Sequence, residues 1–408
     1  MSSTAPSASQ HDAHDPQSLI ARLADAERRD DLEAMSQAAD ALADALAGHP
    51  LPPTLQATVL RRRGRPDEAL ALLEPVLRGT PEFLPALLEA AESEHASGRR
   101  EAANGLWLRA INLAESQRSR GFPERVARAL ERAVHQVNDA VGSALDAALA
   151  PHIARHGRTA LQRIQGAADI FAGREPRGEQ FPEWSPGLMY IPGLSPKAWY
   201  EREEFDWVDT AESATAALRN ELIGLLEKPQ GFTPYVTNSE GRQRSDYWAT
   251  LNGSTAWSAF HFSRHGNPYE PNRQRCPETA ALLDQLPLMR IPGYAPEALF
   301  SVLKPKTRIP AHYGSVNGRL TVHLPLVVPL NCGALQVRGE PRPWVEGQIM
   351  AFDDAMLHEA WNDSDDTRAV LIFDVWNPQL SVAEREAFSD VLQAAQHFEN
   401  GHRESDHA

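Results

Sequence analysis

The pattern of apolar and polar positions changes character once along the chain. From about residue 17 to 172, Ala, Leu, Glu and Arg dominate and apolar residues show no strand-like alternation, which predicts helices. Beyond residue 187, short β-branched runs such as Arg319–Val328 and Arg368–Val375 are separated by Gly, Pro, Asn and Asp, which predicts strands and turns. Two helical segments, Ala211–Leu226 and Val382–Phe398, flank those runs. The expected fold is therefore multidomain α and β, with an N-terminal helical domain and a C-terminal barrel or jelly roll.

The helical half repeats. Gly64-Arg65-Pro66-Asp67-Glu68-Ala69 recurs as Gly98-Arg99-Arg100-Glu101-Ala102-Ala103, and Leu73 and Trp107 share the same 34-residue offset. A weaker copy, Asp30-Asp31-Leu32-Glu33-Ala34, precedes the first. A helix–turn–helix unit of about 34 residues is the period of a tetratricopeptide (TPR) repeat. Each glycine sits where one helix must end and the chain turn. Stacked pairs of this kind offer a concave surface suited to a peptide or protein partner.

Boundaries follow from composition. Residues 1–16 read as a disordered lead-in, 17–172 as the TPR-like domain, and 173–187 (GREPRGEQFPEWSPG) as a linker without periodicity. Residues 188–398 form the expected β-rich domain, and 399–408 a polar tail. Eight of the nine tryptophans lie after residue 180, in keeping with a separate core there.

Charge and length narrow the function. The formal charge of −15 argues against nucleic acid or anionic lipid as the main partner, since both require a cationic surface. No apolar run approaches the roughly 18 residues of a membrane span, and the N-terminus has neither a basic start nor an apolar stretch. Cys276 and Cys332 are the only cysteines, too few for a disulfide framework or a cysteine-built zinc site. A cytoplasmic protein is expected.

Three segments carry candidate chemistry: Ile309–Ser315 with His312, Phe352–Trp361 with His358, and Arg368–Trp376 opened by Arg368. Imidazoles from different strands can meet at a barrel mouth, and imidazole suits first-row metals such as iron. An inward arginine beside them could grip a carboxylate with both arms of its planar fork. The usual non-haem iron site adds a carboxylate, yet two positions after His312 stands Gly314. From Ala298 through Gly339 there is no Asp or Glu in 42 residues, so a neighbour in that strand does not supply one. Asp353 and Asp354, just before His358, are possible substitutes, though a turn-capping role is the expectation.

Residues 190–395 resemble the aspartyl/asparaginyl β-hydroxylases, a branch of the iron(II)- and 2-oxoglutarate-dependent dioxygenases. The resemblance rests on Phe300-Ser301, His312-Tyr-Gly314, Arg319-Leu-Thr-Val-His323-Leu, Glu346-Gly347, Phe352-Asp353-Asp354, His358-Glu-Ala-Trp361 and Asp374-Val-Trp376-Asn-Pro378. It implies a double-stranded β-helix (jelly-roll, cupin-like) domain whose iron site has two histidines, with glycine where the carboxylate usually stands. Carried over, His312 and His358 hold Fe(II), and Arg368 binds the distal carboxylate of 2-oxoglutarate with help from Ser301. His323 lies near the other carboxylate, and Trp257 lines the pocket. Thr321 stands where the family often has a second arginine, and the animal enzymes' cysteine-containing loops and membrane anchor have no counterpart in the sequence.

The expected reaction consumes O2 and 2-oxoglutarate and hydroxylates the β-carbon of Asp or Asn in a peptide or protein docked on the helical repeats. The same oxidation on a small molecule, a carrier-bound amino acid or a lipid acyl chain is the nearest alternative. A non-catalytic TPR adaptor and an iron halogenase are the others.

Overall fold

The computed structural model describes residues 16–29, 31–45, 51–117, 121–178, 184–237, 248 and 250–404. The expected disordered lead-in falls almost wholly outside them. The helices are α1 (Pro16–Arg28), α2 (Leu32–Ala45), α3 (Pro53–Arg62), α4 (Pro66–Gly79), α5 (Leu84–Ala96), α6 (Arg100–Ser116), α7 (Glu124–His156), α8 (Gln162–Phe171), α9 (Val208–Ser213), α10 (Thr215–Glu227), α11 (Glu270–Arg273), α12 (Pro277–Gln285) and α13 (Val382–Glu404). The strands are β1 (Trp199–Tyr200), β2 (Thr233–Pro234), β3 (Trp257–Arg264), β4 (Asn267–Pro268), β5 (Ala298–Leu303), β6 (Thr307–His312), β7 (Arg319–Val327), β8 (Leu335–Val337), β9 (Glu340–Arg342), β10 (Met350–Phe352), β11 (His358–Asn362) and β12 (Arg368–Trp376). The described residues fall into two compact units, one within 1–141 and 398–408 and the other within 142–397. The division falls within α7.

In the first unit the 34-residue period becomes geometry. Helices α4 and α6 begin at Pro66 and Arg100, and the turns before them place Gly64 and Gly98 at φ 72° and 80°. Those left-handed conformations are ones that glycine adopts without a Cβ penalty. Equivalent residues are buried alike: Ala69 and Ala103 are fully buried, and so are Leu73 and Trp107. The buried Glu89 carboxylate accepts hydrogen bonds from Thr58 Oγ1 (2.8 Å) and Arg61 Nε (2.7 Å), tying α3 to α5.

The second unit holds two antiparallel sheets. One runs β1-β10-β7-β12-β5-β3-β2 with β4 beside β3, and the other runs β6-β11-β8-β9. This is the double-stranded β-helix expected from the sequence. Side chains alternate between faces of a strand, so each strand of the larger sheet has two jobs. Phe300, Val302, Leu320, Val322, Leu324, Leu371 and Phe373 face an apolar core shared with Leu218 and Leu222 of α10 and Leu282 and Leu283 of α12. The opposite parity, Leu299, Ser301, Arg319, Thr321, His323, Arg368, Ile372 and Asp374, lines a cavity. Both faces are covered, which is why β7 and β12 read as nearly continuous apolar runs.

Residues 142–172 pack with this second unit although their composition is helical. Arg163 donates from Nε to Glu384 Oε1 (2.7 Å) and from Nη2 to the Gln379 carbonyl (2.8 Å). These bonds tie α8 to the start of α13 within the second unit. Helix α13 continues past Phe398 to Glu404. Among the described residues, no helix is long and apolar enough to cross a membrane.

Candidate active site

His312 ends β6 and His358 opens β11, and the antiparallel register sets them directly opposite each other. Their ring centroids are 4.0 Å apart. The register shifts between His358 and Ala360, a bulge of the kind that re-aims side chains beside sites. In each ring Nδ1 lies against the carbonyl two residues back, Pro310 O at 2.8 Å for His312 and Met356 O at 2.9 Å for His358. A neutral ring donating from Nδ1 keeps its lone pair on Nε2, and both rings line the cavity. Burial, then the neighbouring His358, lowers the His312 pKa to about 4, and burial lowers that of His358 as well. Two neutral imidazoles with engaged Nδ1 atoms are a donor set that fits a first-row divalent metal.

The larger sheet supplies the rest of the cavity, which has a volume of about 640 Å³. Arg368 is 1% exposed, and its Nη1 reaches the Ser301 carbonyl only at 3.5 Å while Nε has no partner. Its guanidinium lies 4.3 Å from the centre of the Trp344 ring. No carboxylate among the described residues pairs with it. Burial pulls its pKa down to about 10 against an opposing pull from Cys332, as befits a cation without a carboxylate counter-ion. His323 Nδ1 accepts a hydrogen bond from Trp344 Nε1 (3.3 Å), which leaves Nε2–H as a donor. Burial, followed by the Arg368 and His358 charges, holds this ring neutral. Trp257 Nε1 donates to Ser301 Oγ (3.1 Å), and Tyr235 stacks on the Trp257 ring at 4.0 Å. The structure thus brings His312, His358, Arg368, Ser301, His323 and Trp257 around one cavity.

Gly314 lies at the edge of the same cavity, and a Cβ built there would collide with the Asp354 carboxylate. The turn-capping expectation holds for Asp353, whose Oδ1 accepts from Ala355 N (3.0 Å) and whose Oδ2 accepts from Trp184 Nε1 (2.6 Å). It fails for Asp354. That side chain pairs with Arg319, lines the cavity and keeps Oδ1 without a partner. Arg319 in turn reaches Asp374 Oδ2 at 3.4 Å, and Asp374 Oδ2 also accepts from Glu297 N (2.8 Å). Burial raises the Asp374 pKa to about 6, against the opposing pull of Arg319.

Removing the cation from this triad with Arg319→Ala strands two buried carboxylates and should cost about 3–5 kcal/mol in urea unfolding. Gly314→Ala forces Asp354 aside and should cost about 1–3 kcal/mol as an overpacked site, with no loss of secondary structure by circular dichroism.

Sequence reasoning named Arg319 only within a family motif, without a role, and missed Tyr235 and Trp248. Trp248 meets the His312 ring edge-on at 5.2 Å and the Trp257 ring at 6.3 Å. Arg319 was legible in principle, because it has the same strand parity as Thr321 and His323. No local signal marks Trp248.

Comparison with known proteins places this site in context. The family model described as Aspartyl/Asparaginyl beta-hydroxylase matches residues 212–378. Aspartyl/asparaginyl beta-hydroxylase of Homo sapiens is 28% identical over 244 residues, covering 58% of this chain and 30% of the human protein. Aspartate beta-hydroxylase domain-containing protein 2 of Rattus norvegicus is 38% identical over 210 residues, 51% of this chain and 59% of the rat protein. Ornithine lipid ester-linked acyl 2-hydroxylase of Rhizobium tropici is 34% identical over 186 residues, 45% of this chain and 62% of that protein. The match spans less than two thirds of the length of each of these relatives.

Proposed function

We propose that this chain, whose residues 212–378 match the aspartyl/asparaginyl β-hydroxylase family model, is an Fe(II)- and 2-oxoglutarate-dependent hydroxylase acting on Asp or Asn side chains of a peptide or protein. The observation that carries this reading is Arg368. A buried guanidinium without a carboxylate partner is costly, and here it faces a cavity that also contains two neutral imidazoles. A dicarboxylate resolves that cost. His312 and His358 would hold the iron, which when bound lets O2 oxidise 2-oxoglutarate to succinate and CO2 while one oxygen atom enters a substrate C–H bond.

The chain's own residues bind and orient. Arg368 neutralises the distal carboxylate of 2-oxoglutarate through its planar fork. His323 offers Nε2–H to the other carboxylate. Trp257, held by Ser301 and stacked under Tyr235, forms a wall, and Trp248 shields the His312 edge from water. Arg264, exposed at the cavity, is a cation suited to an acidic substrate side chain. That charge, with Glu297, Arg319, Asp354 and Asp374 in the lining, favours a polar substrate over a lipid acyl chain. The TPR-like helix pairs are the proposed docking surface for the polypeptide.

The test is incubation with Fe(II), 2-oxoglutarate and Asp- or Asn-containing peptides, followed by mass spectrometry. Gain of one oxygen on an Asp or Asn side chain is expected, and succinate formation with oxygen only on lipid or free small molecules would overturn the substrate assignment. The Asp354 carboxylate beside Gly314 also disfavours chloride at that position. Turnover should therefore be unchanged when chloride is replaced by acetate, and a chlorinated product would contradict hydroxylation.

A further inference from the structure

The second unit carries a separate cluster of metal-binding side chains that does not line the barrel cavity. His152 and His156 stand four residues apart in the last turns of α7, so they share one helix face. One ligand atom from each, with a carboxylate oxygen of Glu386 on α13, fall within 4.8 Å of one another. The His152 side chain is buried, and its Nε2 is 2.7 Å from Asp390 Oδ2, leaving Nδ1 buried without a partner. The His156 Nε2 is likewise buried and unpartnered, 3.9 Å from Glu386 Oε2. Arg155, at 3.8 Å, is the competing cation on Glu386.

We propose that His152, His156 and Glu386 form a divalent transition-metal site, most suited to Zn(II), with Asp390 orienting the His152 ring. Two imidazoles and one carboxylate, with a fourth position for water, are a zinc donor set, and the i,i+4 histidine pair is the spacing that helical zinc sites use. A carboxylate on the far nitrogen of a ligand histidine fixes its tautomer and raises its basicity. The location adds to this, because a cation at a helix C-terminus meets the negative end of the helix dipole. The unpartnered nitrogens are what the metal would satisfy.

The role is structural. Ala387, Phe388, Val391 and Leu392 bury the other face of α13, and Phe388 packs against Trp376 at the end of β12 with ring centres 6.4 Å apart. A metal joining Glu386 to α7 would pin the first turns of that helix over the barrel.

This site is separate from the residues proposed to hold iron, and the experiment keeps the two apart. The full chain carrying His312→Ala and His358→Ala is stripped with EDTA and titrated with Zn(II) by calorimetry, with Co(II) absorption as a second readout. One equivalent is expected to bind, with tetrahedral Co(II) bands and a rise in Tm. Adding His156→Asn or Glu386→Gln should weaken binding more than tenfold and abolish the Tm rise, while Asp390→Asn should weaken it about 10–100-fold. No binding in the double variant, or binding indifferent to His156→Asn and Glu386→Gln, overturns the site. Should the double variant fail to fold, the otherwise unaltered chain is expected to bind two equivalents of Zn(II), falling to one with His156→Asn. An unchanged stoichiometry would again overturn it.

Discussion

His312→Ala or His358→Ala is expected to abolish turnover while leaving the fold intact. The two rings meet through β-sheet register, not through a metal, since β6 and β11 pair along Thr307–His312 and His358–Asn362. Truncating one ring removes half the donor set and leaves the strands paired. A bound metal supplies several kcal/mol of transition-state stabilisation, so the loss should be about a thousandfold or more in kcat/KM. Iron content after anaerobic loading should fall in parallel, and circular dichroism should match the unaltered chain. Near-normal activity in either variant would remove these histidines from the metal site.

Arg368 should show opposite effects on function and stability. Arg368→Lys keeps a charge but loses the bidentate fork, and the KM for 2-oxoglutarate should rise more than tenfold, about 1.4 kcal/mol or more. Arg368→Met places an apolar chain where an unpaired guanidinium is now buried at 1% exposure. Burying an ion costs several kcal/mol when nothing compensates it, so this variant should be inactive yet melt at a higher temperature than the unaltered chain. Saturating 2-oxoglutarate should raise the Tm of the unaltered chain and leave Arg368→Met unmoved. A lower Tm for Arg368→Met would mean that the side chain is needed for packing against Trp344 and not held in reserve for an anion.

Where local pattern decides structure, the sequence was a good guide. The runs Arg319–Val328 and Arg368–Val375 become β7 and β12 within one residue at each end, because both faces of those strands are covered and apolar character persists along them. The glycines of the 34-residue repeat mark the turns before α4 and α6 for the same local reason. The helix expected at Ala211–Leu226 is instead two, α9 and α10, broken at Ala214. No Gly or Pro announces that break.

The site was legible only in part, for a different reason. His312, His358 and Arg368 stand at strand ends beside recognisable motifs. Asp354 was misread because its partner, Arg319, is 35 residues away and its neighbour Gly314 is 40, so a turn role looked sufficient. The acid-free stretch from Ala298 to Gly339 was the available clue that a carboxylate beside Gly314 had to come from elsewhere. Trp248 and Tyr235 reach the cavity through packing on His312 and Trp257, contacts that no linear pattern encodes.

We propose that His312, His358 and Arg368 assemble a site for iron and 2-oxoglutarate. It is tested most directly by following labelled CO2 from 2-oxoglutarate labelled in the carboxyl group next to its keto carbon. Release is expected to require Fe(II) and O2, to stop on chelation, to return on adding Fe(II) and to be absent in Arg368→Met. Release that persists in that variant, or none from the unaltered chain with Fe(II), O2 and an Asp- or Asn-containing peptide present, would contradict it.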